Sequence, residues 1–398
     1  LNLKDIKFYL VGSLLIISTV FGAVEITTRV VSWLTGNGFT LALHEYEPYD
    51  QEITKVYQWH PFTGITFKPG VTITGSHPAQ KALATVYIDR HGFLSDRKTL
   101  RYQKSVDEVR IAFIGASTTA SLYLSFDQNW PGHLENLISD AMPGKKISII
   151  NAAVPGFDTA QSIGNLALRV MPFEPDIVII YHLYNDLKAV CKNVSFRPDY
   201  SHIHPKPFGL HQRPNVLIRS LNNSMAYVRL RNRLRGIKEK QLEAEKRKKI
   251  LSQTGRLTEI PQQAVITFEQ HIRSLVSIAS AGGATVILSS FASLHNPQLD
   301  YTQTEKIRRL SRFKKEEIFR VINFIPGLTL EAVFEGLQRY NRVLEKIAMQ
   351  EKTGWVDNAA LIPHQDLYFV DRVHFSKEGA ALMARNLFPV VMQELKKL

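Results

Sequence analysis

The sequence predicts an α/β fold with a mostly parallel sheet, preceded by an apolar N-terminal helix and a small β segment. Three observations predict it. From Val109 onward, short apolar or β-branched runs alternate with amphipathic stretches, which is the rhythm of βαβ units. One of those runs, 110–115, breaks at Gly115 into Ala116, Ser117, Thr118 and Thr119. A strand that ends this way sets a hydroxyl side chain at the carboxyl edge of the sheet, where open α/β sheets carry their sites. The third is Phe8 to Val24, 17 residues without a charge.

That apolar run is preceded by Lys4 and Lys7 and followed by Glu25 and Arg29, while Val30, Val31, Trp33 and Leu34 extend its character. At about 1.5 Å per residue such a helix just spans a hydrocarbon core of about 30 Å. Trp33 would sit at the far interface, and the lysines favour a cytoplasmic N-terminus with the bulk of the chain outside. Residues 1–34 are therefore expected to be an uncleaved anchor. A signal peptide cleaved near Val20 or Gly22 and a buried core helix are the other readings. The chain has 398 residues, room for one large domain or two. Its single cysteine, Cys191, excludes an intrachain disulfide.

Taken in order, 35–105 reads as a β-rich cover: HPFTGITFKPGVTITGSHP has Gly and Pro punctuation between β-branched runs, and 84–88 is a strand. In 106–398 the expected strands are 110–115, 147–151, 176–181 and 284–290. The expected helices are 130–141, 158–171, 263–281, 328–349 and 377–398, the last with Ser376 as its N-cap. Two insertions interrupt this rhythm, at 188–262 and 291–327, where loops can shape a cleft. Between Lys206 and Arg256 there are 14 Lys/Arg against 3 Glu, so most of the net charge of +13 is local. A solvated helical hairpin is the plain reading of that stretch, and a cap on anionic lipid headgroups is the next. Nucleic acid is disfavoured, because aromatics are sparse there and the topology faces away from it.

Acyl transfer by a serine needs a base, a group that orients the base, and donors for the developing oxyanion. Each has a candidate at a strand end or before a helix. Ser117 is the candidate nucleophile, the other reading of its stretch being an ordinary strand-to-helix turn whose serine caps a helix. After 147–151 comes Pro155-Gly156-Phe157-Asp158-Thr159, in which Gly156 lacks a Cβ and precedes a helix start. After 176–181 comes His182-Leu183-Tyr184-Asn185-Asp186, in which the Asn185 amide can aim at the same point. Near the C-terminus, Asp371-Arg372-Val373-His374 spaces a carboxylate to hold an imidazole whose other nitrogen faces Ser117. His182 reads as structural, and His202 with His204 as solvated loop residues. No Gly-x-Ser-x-Gly surrounds Ser117, and no Walker loop or dinucleotide fingerprint is present.

These four segments together resemble the SGNH/GDSL hydrolase family. Gly115-Ala116-Ser117 looks like its first block, Pro155-Gly156-Phe157-Asp158-Thr159 its second, Tyr184-Asn185-Asp186 its third and Asp371 to His374 its fifth. Ala116 stands where the family often has Asp, and Leu183-Tyr184 replace a glycine-containing pair before Asn185. The resemblance covers about 109–398 and implies a three-layer α/β/α fold, with Ser117 as nucleophile, His374 as base and Asp371 as its orienter. It implies an oxyanion hole from the Ser117 and Gly156 amides and the Asn185 side chain, with no metal or cofactor. The layout of an anchor, a short β segment and then the hydrolase domain is similar to envelope members anchored in the bacterial inner membrane, with the domain outside. The function so implied is a serine esterase acting on an O-acyl ester, with acetylated envelope glycan ahead of acyl lipid as substrate. The alternatives are an O-acyltransferase to a glycan and a catalytically silent envelope scaffold or glycan-binding protein.

Overall fold

The computed structural model describes residues 2–35, 39, 55–75, 84–96, 100–190, 195–204, 221, 223–234, 236–237, 255–297 and 311–397. The chain divides into two compact units, Leu1–Lys55 with Gly209–Lys248, and Val56–Phe208 with Lys249–Leu398.

In the first unit, α1 (Leu3–Leu34) is a single helix. Its stretch Asp5–Leu34 is long and apolar enough to cross a membrane, with a mean hydropathy of 1.9 over its most apolar window. The charge-free run in the sequence stops at Val24, yet the helix continues for ten more residues because Glu25 is satisfied where it stands. The Glu25 carboxylate accepts from Ser224 Oγ (2.7 Å), Met225 N (3.0 Å) and Ala226 N (2.9 Å), and pairs with Arg29 one turn on (2.6 Å). It thereby caps the helical stretch 225–234, whose Arg229, Arg231 and Arg233 belong to the basic insertion. Most of that insertion lies outside the described residues, as does Cys191.

The second unit holds the α/β fold. A hairpin of β1 (Tyr57–His60) and β2 (Gly64–Phe67) stands as its own two-stranded sheet. The main sheet comprises β3 (Thr72–Gly75), β4 (Ala84–Ile88), β5 (Leu94–Ser95), β6 (Glu108–Gly115), β7 (Lys146–Asn151), β8 (Ile177–Tyr181), β9 (Thr285–Ser289) and β10 (Gly354–Val356). Its order is β10-β9-β8-β6-β7-β5-β4-β3; β10 through β7 are parallel, and β5, β4 and β3 extend the edge antiparallel. All five residues of β8 are buried, as are the last six of β6, as strands covered on both faces require.

The helices are α2 (Ser117–Ala120), α3 (Trp130–Ala141), α4 (Thr159–Asn165), α5 (Gln262–Ala281), α6 (Arg312–Phe324), α7 (Leu330–Glu351), α8 (Asn358–Leu361) and α9 (Lys377–Leu395). From β6 the chain steps one way to β7 through α3, and then back the other way to β8, β9 and β10 through α4, α5 and α7. Right-handed crossovers place the helices of opposite steps on opposite faces. α3 accordingly packs with α9 and α5 with α4 and α7, which gives the three-layer α/β/α arrangement expected from the sequence. The predicted helix over 158–171 is an α-turn segment continued by a π-helical stretch, Leu166–Val170, and a 3₁₀ turn, Met171–Phe173.

A buried ion pair closes the base of the sheet. The fully buried Arg110 guanidinium donates to the carbonyls of Tyr102 (3.0 Å), Gln103 (3.0 Å) and Phe173 (2.6 Å) and to Glu108 (3.1 Å). Burial raises the Glu108 carboxyl, but donors from Ser148, Arg110, Ser105 and Lys146 outweigh it and hold it at about 2, against 4.5 unperturbed. A carboxyl lowered on folding stabilises the native state above its unfolded pKa and loses that contribution as pH falls from about 4.5 to about 2. Denaturant unfolding of the full chain in detergent should therefore show a component on the order of 3 kcal/mol that disappears over this window. In Glu108→Gln that component should be missing and the stability at pH 7 correspondingly lower.

Candidate active site

The site forms where β6 ends. An ideal Cβ on Gly115 would lie 2.1 Å from Thr119 Oγ1, 2.8 Å from Thr119 Cβ and 3.1 Å from the Tyr181 carbonyl. Only a residue without a Cβ lets α2 turn back this closely, and the turn leaves Ser117 half-exposed while Thr118 to Ala120 are buried. Trp130 pins the turn from below, donating Nε1–H to the Thr118 carbonyl at 3.1 Å.

The C-terminal segment meets Ser117 from the other side. Asp371 is buried, and its Oδ1 accepts from the amides of Val373 (2.9 Å) and His374 (2.8 Å). Its Oδ2 lies 2.8 Å from His374 Nδ1, and His374 Nε2 lies 2.9 Å from Ser117 Oγ. With an ionised Asp371, Nδ1 carries the proton and donates, which leaves Nε2 to accept from the Ser117 hydroxyl. Tyr123 braces the imidazole, its ring edge-on to that of His374 at 6.0 Å and its hydroxyl donating to the Phe375 carbonyl at 2.9 Å.

Gly156 and Asn185 line the same cavity as Ser117 and His374, a space of ≈ 140 Å³. Gly156 has φ +85°, and a Cβ built on it meets nothing within 4 Å, so backbone conformation and not space requires the glycine. Asn185 Nδ2 donates to the Phe157 carbonyl at 2.8 Å, which orients the amide and leaves its second hydrogen without a partner among the described residues. The two turns are tied together beneath. Asp186 Oδ1 accepts from Thr159 N at 3.1 Å and from the Thr159 hydroxyl. Burial, and then the charge of Asp158, push the Asp186 carboxyl well up.

His182 is buried and hydrogen-bonded to Ser162 Oγ at 2.7 Å, and burial lowers it to about 4, so it stays neutral. His202 and His204, read from the sequence as solvated loop residues, are half-buried and hydrogen-bonded. His202 Nε2 meets the Ala189 carbonyl, after β8, at 2.7 Å, and His204 Nε2 meets Asp158 Oδ2, at the cap of α4, at 2.8 Å, because the segment folds back on both. Tyr184, which the sequence sets next to Asn185, also lines the cavity; sequence reasoning missed Phe291, Phe324, Lys188 and Arg372, which line it too. Arg372 sits inside the Asp-x-x-His spacing and was there to be read; Phe324 comes from the second insertion and carried no signal. Among the described residues no group of three or more His, Cys, Asp or Glu could hold a metal ion.

No protein-family profile and no curated protein matches the chain. Solved structures do. It is similar to Axe2, an acetylxylan esterase from Geobacillus stearothermophilus, at 14% identity over 72% of this chain and 94% of that one, with a TM-score of 0.40. It is also similar to a GDSL-like lipase from Bacteroides thetaiotaomicron, at 14% identity over 74% and 92%, with a TM-score of 0.39. TesA matches at 17% identity over 72% and 99%, with a TM-score of 0.38.

The two glycines should fail for different reasons. Gly156→Ala places a Cβ at positive φ and should cost about 1–2 kcal/mol in urea unfolding, and Gly156→Asn less, since Asn tolerates this region better. Gly115→Ala creates a clash and should cost about 1–3 kcal/mol by overpacking, with Gly115→Ser costing at least as much.

Proposed function

We propose that this chain is a serine esterase of the SGNH/GDSL type, with Ser117 as nucleophile, His374 as general base and Asp371 as its orienter. One observation carries the reading: the unbroken contact from Asp371 Oδ2 through His374 to Ser117 Oγ, at 2.8 and 2.9 Å, opening on a cavity. Distances in this range are those at which proton transfer works. Ser117 Oγ attacks the acyl carbonyl while its proton passes to His374 Nε2. The amides of Ser117 and Gly156 and the remaining Nδ2 hydrogen of Asn185 receive the oxyanion. Collapse expels the alcohol, which takes the proton from His374, and water activated by the same imidazole then frees the acid from the acyl-enzyme.

The cavity of ≈ 140 Å³ supports a short acyl group such as acetyl over a long chain. We assign the substrate to O-acetylated glycans of the envelope ahead of acyl lipids. The apolar α1, with Lys4 and Lys7 ahead of its charge-free run, supports an anchor in a bacterial inner membrane with the second unit on the outer side.

A fluorophosphonate probe should label the full chain in detergent at Ser117 and release of acetate from p-nitrophenyl acetate should follow the same residue. Ser117→Ala should abolish both. Asp371→Asn should fold normally and lower kcat by about 10³–10⁴, because the amide favours the wrong imidazole tautomer. Absence of labelling under conditions that modify a control serine esterase would leave a silent scaffold as the surviving reading.

A further inference from the structure

The ester chemistry uses some of the residues that line the cavity; others carry charge that it does not use. Arg372 and Lys188 both line the cavity with Ser117. The Arg372 guanidinium lies 4.7 Å from the Phe324 ring centroid and 5.7 Å from that of Tyr184, and Lys188 Nζ lies 4.6 Å from Phe324. Tyr184 and Phe324 stack at 5.3 Å, so one aromatic surface holds both cations at the cavity.

The charge of Arg372 is only partly answered among the described residues. Arg372 Nε donates to the Tyr184 hydroxyl at 3.1 Å. The nearest carboxylate, Glu317, accepts from the Arg372 backbone amide at 3.1 Å but stands 3.8 Å from Nη1, beyond hydrogen-bond reach. Burial pushes the Glu317 carboxyl up, against the pull of Arg320. Arg372 Nη2 donates to no group among the described residues, and among them no carboxylate lines the cavity. A guanidinium fixed along one edge, with its other edge open, presents the planar fork that fits a carboxylate or a phosphate. Low-dielectric aromatic walls concentrate that field at the cavity.

We propose that the molecule bearing the ester is itself anionic, and that Arg372, with Lys188, holds its carboxylate or phosphate while the acyl carbonyl meets Ser117. This rests on the esterase reading above. The ester is then that of an acidic sugar or a sugar phosphate rather than a neutral one, and Arg372 sets specificity without taking part in bond making.

Three acetyl esters of one hexose test it with the full chain in detergent: a methyl glucoside, its uronate and its 6-phosphate. At least one anionic ester should exceed the neutral one in kcat/KM by about tenfold or more, the range of a charge-assisted hydrogen bond. Which of the two anions leads assigns carboxylate or phosphate. The anionic-to-neutral ratio should fall toward one in Arg372→Gln, be partly kept in Arg372→Lys, fall less in Lys188→Gln, and shrink in 0.5 M salt. Because the ratio is internal to each variant, a loss of folded protein does not mimic the effect. Equal kcat/KM on charged and neutral esters overturns the proposal and leaves the esterase standing. If no ester is cleaved, the esterase reading falls, and calorimetry on Ser117→Ala decides the rest. Tighter binding of an anionic ester that is lost with Arg372→Gln sustains the anion site, and equal or absent binding overturns it.

Discussion

Everything at the site depends on β6 being paired in parallel on both sides, with β7 through Ile111↔Ile149 and with β8 through Ile111↔Ile177. The chain leaves β6 toward β7 and must then cross back past β6 to reach β8. At the carboxyl edge the two connections part, and the gap between them is where such sheets place ligands. The turn after β6 supplies Ser117, the turn after β7 supplies Gly156 from one flank, and the turn after β8 supplies Asn185 from the other. Four segments far apart in sequence meet without any of them reaching, because the topology has already aimed three of the strands. The fourth segment, 371–374, arrives as the lead-in to α9, whose Ser376 cap accepts from Gly379 N at 3.1 Å.

Aiming the turns is not the same as holding them. Loops at the end of a sheet have few apolar contacts of their own and drift unless polar groups tie them. Here the ties are polar side chains, some spanning neighbouring turns and one closing its own. Asp186 reaches from the turn after β8 to Thr159 at the start of α4, and Asn185 reaches to Phe157 in the same stretch. Asp371 takes three donors within its own tight turn. Burying a carboxylate is costly, and Asp186 shows the cost, since burial and Asp158 drive it toward the protonated form. The cost is offset because Gly156 and Asn185 are fixed relative to each other by the same group.

The parts legible in the sequence were those whose cause is local. The all-apolar strand 177–181 shows its burial directly, and Asp158, capping α4 at Gln161 N, announces a helix start within three residues. The same holds for Ser117, Gly156, Asn185, Asp371 and His374, each at a strand end or before a helix. What stayed hidden was set by distant partners. Gly354–Val356 is too short to read as a strand and forms only because β9 is there to pair with it. Glu25 reads as the end of an apolar helix until a second helix is placed against it. His202 and His204 look like loop residues until the chain folds back on Asp158 and Ala189. Phe324 has no periodic or motif signal that would set it beside Ser117.

Charge illustrates the same division between what a sequence counts and what a fold does with it. The excess of 14 Lys/Arg over 3 Glu in 206–256 dominates the net charge of +13. Charges that stand in water are screened within about 8–10 Å at physiological salt, so a count of them says little about any one point. Arg372 is a single residue, but its side chain is only 14% exposed and rests on aromatic rings inside a cavity. There the solvent that would weaken its field is largely excluded, and the field acts on whatever enters beside Ser117. A residue count weights every charge alike; the dielectric surroundings of this arginine set what it does to a ligand in the cleft.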